Sequence, residues 1–400
     1  MRALPVLGGM AGLAAAAMHF AGALKSTPAV AALPLDVTAL AAVGLLALLP
    51  LLLAGHRWVL APGLGLPLAA CGALWAWWGI AATWSPWSEG VADRLPEIMV
   101  IGPAMVAAGL AIGAEPAARR VFLDAAIGLG IFVGASVAWG IASDAVVLGG
   151  RIGADPTRVR VQYQVAGLAI ACAAGLVALR ATGAGGWRRI AWFGGLAALA
   201  AAVLLPGGRA AFLSLGLTVA LAPALRWGLQ GRVAPALLWL AAAPLCAAAA
   251  LGVLLLDPGR AADLATLERL TRETGGVDSA RAILWSEAWR WGGVWGLGPG
   301  GFPVSAGLGQ DRGLHPHNHA IEAMVEGGAV GLLLWLAAFG GAALFMLSRL
   351  PRVEPDRAAA ILALTLPLAL TAMVSTDLGN RMTWFALGLG LSLGVEARRV

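Results

Sequence analysis

The chain has 400 residues, of which 60% are hydrophobic and only 12% charged, with a formal net charge of +6 and a mean hydropathy of +0.83. A soluble domain carries about 25% charged residues, and no soluble core of this length could hide so much apolar surface, so a soluble enzyme is excluded. The basic excess is almost wholly arginine, Lys25 being the only lysine; nucleic acid is a poor explanation of it, and what matters is where those charges lie along the chain.

Repeated apolar runs of about 20 residues imply an all-α polytopic membrane protein, one membrane domain over residues 1–400. The 55 glycines fit that reading, because small residues let helices approach closely in lipid. Arg2 and the apolar stretch behind it imitate a signal peptide, but the stretch is too long and lacks a small-residue cleavage site, so it is read as the first span. Windows between charge and Pro/Gly punctuation then give about 12 spans, near 6–24, 37–55, 66–84, 95–114, 119–142, 161–181, 188–204, 209–226, 233–256, 320–348, 357–375 and 381–397. The seventh and eighth are parted only by Pro206, Gly207 and Gly208, which leaves a re-entrant pair open. Cys71, Cys172 and Cys246 all fall inside apolar runs and read as small hydrophobes.

Alternating the loops between two sides puts the larger share of the 27 basic residues on the side of the N-terminus, which predicts that both termini are cytoplasmic. The one long connection, 257–319, then becomes a large periplasmic loop between spans nine and ten. Within it, 263–273 reads as a short amphipathic helix. A second, over 279–291, places Arg281, Trp285 and Trp289 on one face. Four tryptophans between 285 and 295 suit a segment lying at headgroup level, with packing inside the loop as the other reading. Gly298, Pro299, Gly300 and Gly301 then make a sharp turn.

Three of the five histidines sit together at the outer mouth of a span, as His315-Pro316-His317-Asn318-His319, with Glu322 and Glu326 on the helical face of His319. Ionisable groups are costly inside membranes, so such clustering marks a candidate site. Alternating histidines beside carboxylates are also a possible zinc site, and exposed loop histidines without a role are the bland alternative. Arg209 opens an apolar helix just after Pro206-Gly207-Gly208, where a guanidinium and a helix N-terminus both favour an anion. Arg281 is the second candidate. Arg151, Arg158 and Arg160 lie on another outer loop, where snorkelling or a surface ion pair accounts equally well for Arg151 and Arg158. One imidazole with fixed positive charges at a membrane-facing groove suits transfer from a lipid diphosphate: arginines hold the leaving group and a neutral imidazole deprotonates an acceptor hydroxyl. With no nucleotide-binding glycine loop or Walker motif, the energy must arrive in the substrate.

These residues resemble the bacterial O-antigen ligases and the related C-terminal region of O-antigen polymerases. The shared pattern is His-[Asn/Ser/Gln], nine residues, then Gly-x-x-Gly, here His317-Asn318 followed by Gly328-Ala329-Val330-Gly331. Arg209 in Pro-Gly-Gly-Arg resembles the family's arginine at the start of a span, although the usual preceding serine is missing. Arg281, four before Trp285 and ahead of Gly298, Gly300, Gly301 and Phe302, is similar to its loop arginine. Motif support covers roughly 200–345; the first 190 residues match in hydropathy only. The resemblance implies that His317 is the general base and that Arg209 and Arg281 hold the diphosphate of an undecaprenyl-linked glycan. It further implies a metal-independent, inverting transferase without cofactor at the periplasmic face of a bacterial inner membrane, moving the glycan to lipid A-core or a similar acceptor. Asn318, His315, His319, Glu322, Glu326 and Arg160 become supporting residues, the two glutamates orienting the imidazole or binding sugar. An O-antigen or exopolysaccharide polymerase and a protein O-oligosaccharyltransferase fit the same pattern. A transporter of lipid-linked glycans without chemistry is the alternative from another class, and it requires charges lining several span interiors.

Overall fold

The structure is a computed structural model that describes residues 3–148, 158–257, 259, 264–271 and 280–399. Arg151 and the ends of the helix expected at 263–273 lie outside the described residues.

The fold is nearly all-α. Its long helices in chain order are α1 (Ala3–His19), α2 (Val37–Ala54), α3 (Gly65–Ala81), α4 (Ser88–Ala114), α5 (Pro116–Ala142), α6 (Tyr163–Gly183), α7 (Gly186–Ala202), α8 (Arg209–Leu229) and α9 (Val233–Leu255). Two loop helices follow, α10 (Ala265–Thr271) and α11 (Ala280–Trp291), then the short α12 (Gly301–Ser305). The chain closes with α13 (His319–Arg352), α14 (Pro355–Ala372) and α15 (Arg381–Leu391). Every predicted span thus coincides with a helix. Among the described residues nine of them are long and apolar enough to cross a membrane; α1 and α7 have 17 residues each and α15 has 11. The last run departs most from expectation. Its helix ends at Leu391 and the chain turns into a strand, Val395–Arg399, paired antiparallel with His56–Leu60. Glu396, Arg398 and Arg399 end the apolar character there, and the strand pairing gives that backbone its hydrogen bonds.

α6 is the central helix: 83% of its apolar window is buried, whereas none of the α9 window is. The difference follows from composition. α6 is rich in alanine and glycine and takes helices on several sides, while α9 turns leucines such as Leu237 and Leu245 outward, as a lipid-facing helix does. The packing of α4 against α15 rests on reciprocal glycines. A Cβ on Gly109 would lie 2.3 Å from the Phe385 carbonyl oxygen, and one on Gly388 would lie 2.3 Å from that of Val106.

The second glycine-dependent feature shapes the site end of the bundle. α13 is broken at Gly328, which has φ 70° and ψ −168°. The break frees backbone groups, and the incoming loop binds them: Leu297 N–H donates to the Val325 carbonyl at 2.9 Å, Gly298 N–H to that of Glu326 at 2.8 Å, and Ala329 N–H to that of Gly293 at 3.0 Å. The Trp77 indole donates to the Gly327 carbonyl at 2.7 Å. Gly296, with φ 71°, faces the break so closely that a Cβ would sit 2.3 Å from Gly328 N. The first glycine of the Gly-x-x-Gly motif is therefore a socket for residues 293–298, while Gly331 packs against the Ala323 carbonyl and Trp78. Gly328→Ala is expected to destabilise the protein by about 1–3 kcal/mol through the positive φ alone, with a clash against the Val294 carbonyl 2.2 Å away added to it. Thermal unfolding in detergent, compared with Gly340→Ala in open space on the same helix, checks it.

Candidate active site

The histidine motif forms the turn that enters α13. Asn318 caps the helix, its Oδ1 accepting from the N–H groups of Ala320 at 3.0 Å and Ile321 at 3.1 Å, while its Nδ2 donates to the Met373 carbonyl at 2.8 Å. The Trp285 indole on α11 donates to the Pro316 carbonyl at 2.7 Å. Between these two anchors His317 adopts φ 55°, a left-handed conformation that non-glycine residues rarely hold and that collects at functional sites. Its N–H donates to His315 Nδ1 at 3.1 Å, and the two rings lie 4.0 Å apart.

The loop helices bring the arginines to the same end. α10 docks through Thr266, whose Oγ1 accepts from Gly207 N–H at 3.1 Å and whose own N–H donates to the Leu204 carbonyl at 3.0 Å. That contact fixes the turn from which Arg209 emerges, exposed, at the start of α8. α11 carries Arg281 one turn before Trp285, and its guanidinium donates to Ser375 Oγ at 3.3 Å. The charges sense one another. Burial, and after it the Arg281 charge, lowers the His317 pKa below its ordinary value; burial lowers that of Arg281, with Tyr163 opposing and Arg209 adding to the effect. His315 is driven to about 3, mainly by burial. At neutral pH both imidazoles are neutral and His317 is available as a proton acceptor beside the Arg281 guanidinium, with Arg209 next to Arg281.

The remaining expectations divide. His319 is fully buried, with its Nε2 3.0 Å from Thr376 Oγ1, so it ties α13 to the turn before α15. Among the described residues no hydrogen bond joins Glu322 or Glu326 to His317. Their carboxylates accept from Nη1 of buried Arg94, at 2.7 and 2.8 Å, and Arg94 Nη2 reaches Asp377 at 3.4 Å. Glu322 also accepts from Leu378 N–H at 2.9 Å, while His317 Nδ1 is buried without a hydrogen-bond partner. The physical reason is the low dielectric: two fully buried carboxylates on one helical face need a cation to offset their desolvation. Arg160 is exposed, and no hydrogen bond or ion pair joins it to the cluster; Arg158 pairs with Asp144. Of the four loop tryptophans, Trp285 turns inward to the motif whereas Trp289, Trp291 and Trp295 are exposed, as indoles at a headgroup layer are. Among the described residues no group of three or more His, Cys, Asp or Glu side chains is arranged to hold a metal ion.

Sequence reasoning missed Arg94, Ser375, Thr376 and Asp377. The Ser-Thr-Asp triplet was visible as a polar interruption between two apolar runs, and Arg94 as an arginine on the arginine-poor side of the bundle.

A helical bundle whose loop helices fold back over one end, bringing a neutral imidazole beside Arg281 with Arg209 next to that arginine, defines a polytopic membrane protein with a candidate anion-handling site. Residues 194–336 match the O-antigen ligase family, and that match supports, at a general level, a membrane enzyme of the glycan ligase or polymerase type. The matched stretch holds Arg209, Arg281, His317 and both glycines of the Gly-x-x-Gly motif; Arg94 and the 375–377 turn lie outside it. A comparison with curated proteins gave no match.

Proposed function

We propose that the protein transfers a glycan from an undecaprenyl diphosphate carrier to an acceptor hydroxyl at the periplasmic face of a bacterial inner membrane, with both termini cytoplasmic and the 257–319 loop outside. The observation that carries this reading is the placement of Arg281, bound to Ser375 Oγ and neighboured by Arg209, beside a half-buried His317 held in a left-handed turn. His317 takes the proton of the acceptor hydroxyl. The acceptor oxygen forms the new bond to the anomeric carbon as the carbon–oxygen bond to the diphosphate breaks, and the bond electrons leave with the polyprenyl diphosphate. Arg209 and Arg281 hold the charge that develops on it. The reaction inverts the anomeric centre and uses neither metal nor cofactor, as the family resemblance implies. Lipid A-core, a growing polysaccharide and a protein hydroxyl are all acceptors of the right chemistry.

Replacing Arg281 with Gln in purified protein, with a lipid-diphosphate glycan as donor, tests the reading on two axes. The donor KM is expected to rise. Loss of the neighbouring positive charge also lets His317 hold its proton more strongly, so the acid limb of the kcat/KM profile moves to higher pH. In the wild-type protein that limb lies below the ordinary histidine value, with activity flat through neutrality. An unaltered donor KM together with an unmoved acid limb refutes the assignment.

A further inference from the structure

The helix ends opposite His317 build a second basic site that the glycan-transfer reading does not use. α5 and α14 start there and α6 ends there, and between them, with α7 alongside, lies a crevice of about 760 Å³. Six arginines line it, Arg119, Arg120, Arg180, Arg188, Arg226 and Arg357, against three carboxylates, Asp124, Glu354 and Asp356. Two carboxylates are engaged: Arg180 pairs with Asp124, and Arg226 lies 3.6 Å from Asp356. Arg119 and Arg357 give hydrogen bonds to backbone carbonyls at nearby helix ends, yet their charges repel each other. Arg120 and Arg188 are exposed at the rim and form no hydrogen bond or ion pair among the described residues. The deeper wall is apolar, with Leu123, Ile127, Leu176 and Trp192. Beside it Trp187 and Ile190, 77% and 75% exposed, face outward from the first turn of α7.

Positive charge collected at a helix end is ordinary for a membrane protein's inner face. A crevice that gathers it over an apolar wall and opens beside outward-facing Trp187 and Ile190 asks for a ligand with a phosphate and an acyl chain together. We propose that this crevice binds the headgroup of an anionic phospholipid, its phosphate between Arg120 and Arg188 and its acyl chain along the α5–α7 wall. Inorganic phosphate shares the headgroup chemistry but gains nothing from the apolar wall.

The test titrates the full-length protein in neutral detergent with phosphatidylglycerol, phosphatidylcholine or inorganic phosphate, following bound lipid by native mass spectrometry and the shift in thermal unfolding. Phosphatidylglycerol is expected to bind and stabilise where phosphatidylcholine does not. Arg120→Gln/Arg188→Gln is expected to weaken it about tenfold or more. Arg290→Gln/Arg398→Gln removes two exposed charges elsewhere and is expected to leave binding unchanged. Equal weakening by both pairs, equal binding of phosphatidylcholine, or equal stabilisation by inorganic phosphate would each overturn the proposal.

Discussion

Replacing His317 with Asn is expected to lower glycan transfer by about 10²–10⁴-fold, the contribution of a positioned general base, while leaving the fold intact. The substitution suits this position because the backbone there holds φ 55°. Asn tolerates the left-handed region, whereas Ala adds about 1–2 kcal/mol of strain and confuses a lost base with a distorted turn. The anchors of the turn belong to other residues: Asn318 on the Met373 carbonyl and Trp285 on the Pro316 carbonyl. Wild-type unfolding temperature with transfer reduced at least a hundredfold is the expected pair of results. Retention of more than about a tenth of wild-type kcat by His317→Asn is incompatible with its role as base.

Arg94→Met is expected to act in the opposite way, on stability first, by about 3–5 kcal/mol. Arg94 is buried and donates to Glu322 and Glu326, both fully buried, and to Asp377. Removing it leaves two carboxylates in low dielectric without a cation, so the desolvation they bear is no longer offset. The damage spreads to the site because Glu322 also holds Leu378 N–H, and the same turn carries the Ser375 hydroxyl that binds Arg281. Adding Glu322→Gln and Glu326→Gln to Arg94→Met is expected to restore much of the stability, since neutral amides need no counter-ion. Yield and thermal unfolding in detergent decide the matter: a triple variant no more stable than Arg94→Met would mean that the arginine acts through packing alone.

The sequence made the membrane architecture plain because apolar runs and charge punctuation are local signals, and each predicted span meets a helix. Boundaries failed where a long-range pairing took over, as at 395–399, where strand pairing with 56–60 replaces the last turns of a helix. At the site, His317, Arg209 and Arg281 were legible as rare ionisable groups at span ends. The partners of the carboxylates were not. Glu322 and Glu326 shared a helical face with His319, and spacing alone suggested a role toward the imidazole; their cation comes from Arg94, more than two hundred residues earlier. Gly328 and Gly331 were recognised as a pattern, but the helix break appears only once residues 293–298 occupy it. Gly296, left out of the motif reading, turns out to face that break.

Glycan transfer by this site requires that acceptor attack and loss of the lipid diphosphate be one event. The most direct measurement follows both products in a single reaction of the purified wild-type protein with a polyprenyl-diphosphate glycan and an acceptor. Free polyprenyl diphosphate appearing in step with glycosylated acceptor, one for one, is the predicted result. Donor moved or bound without cleavage, or cleavage releasing a monophosphate lipid, would contradict it.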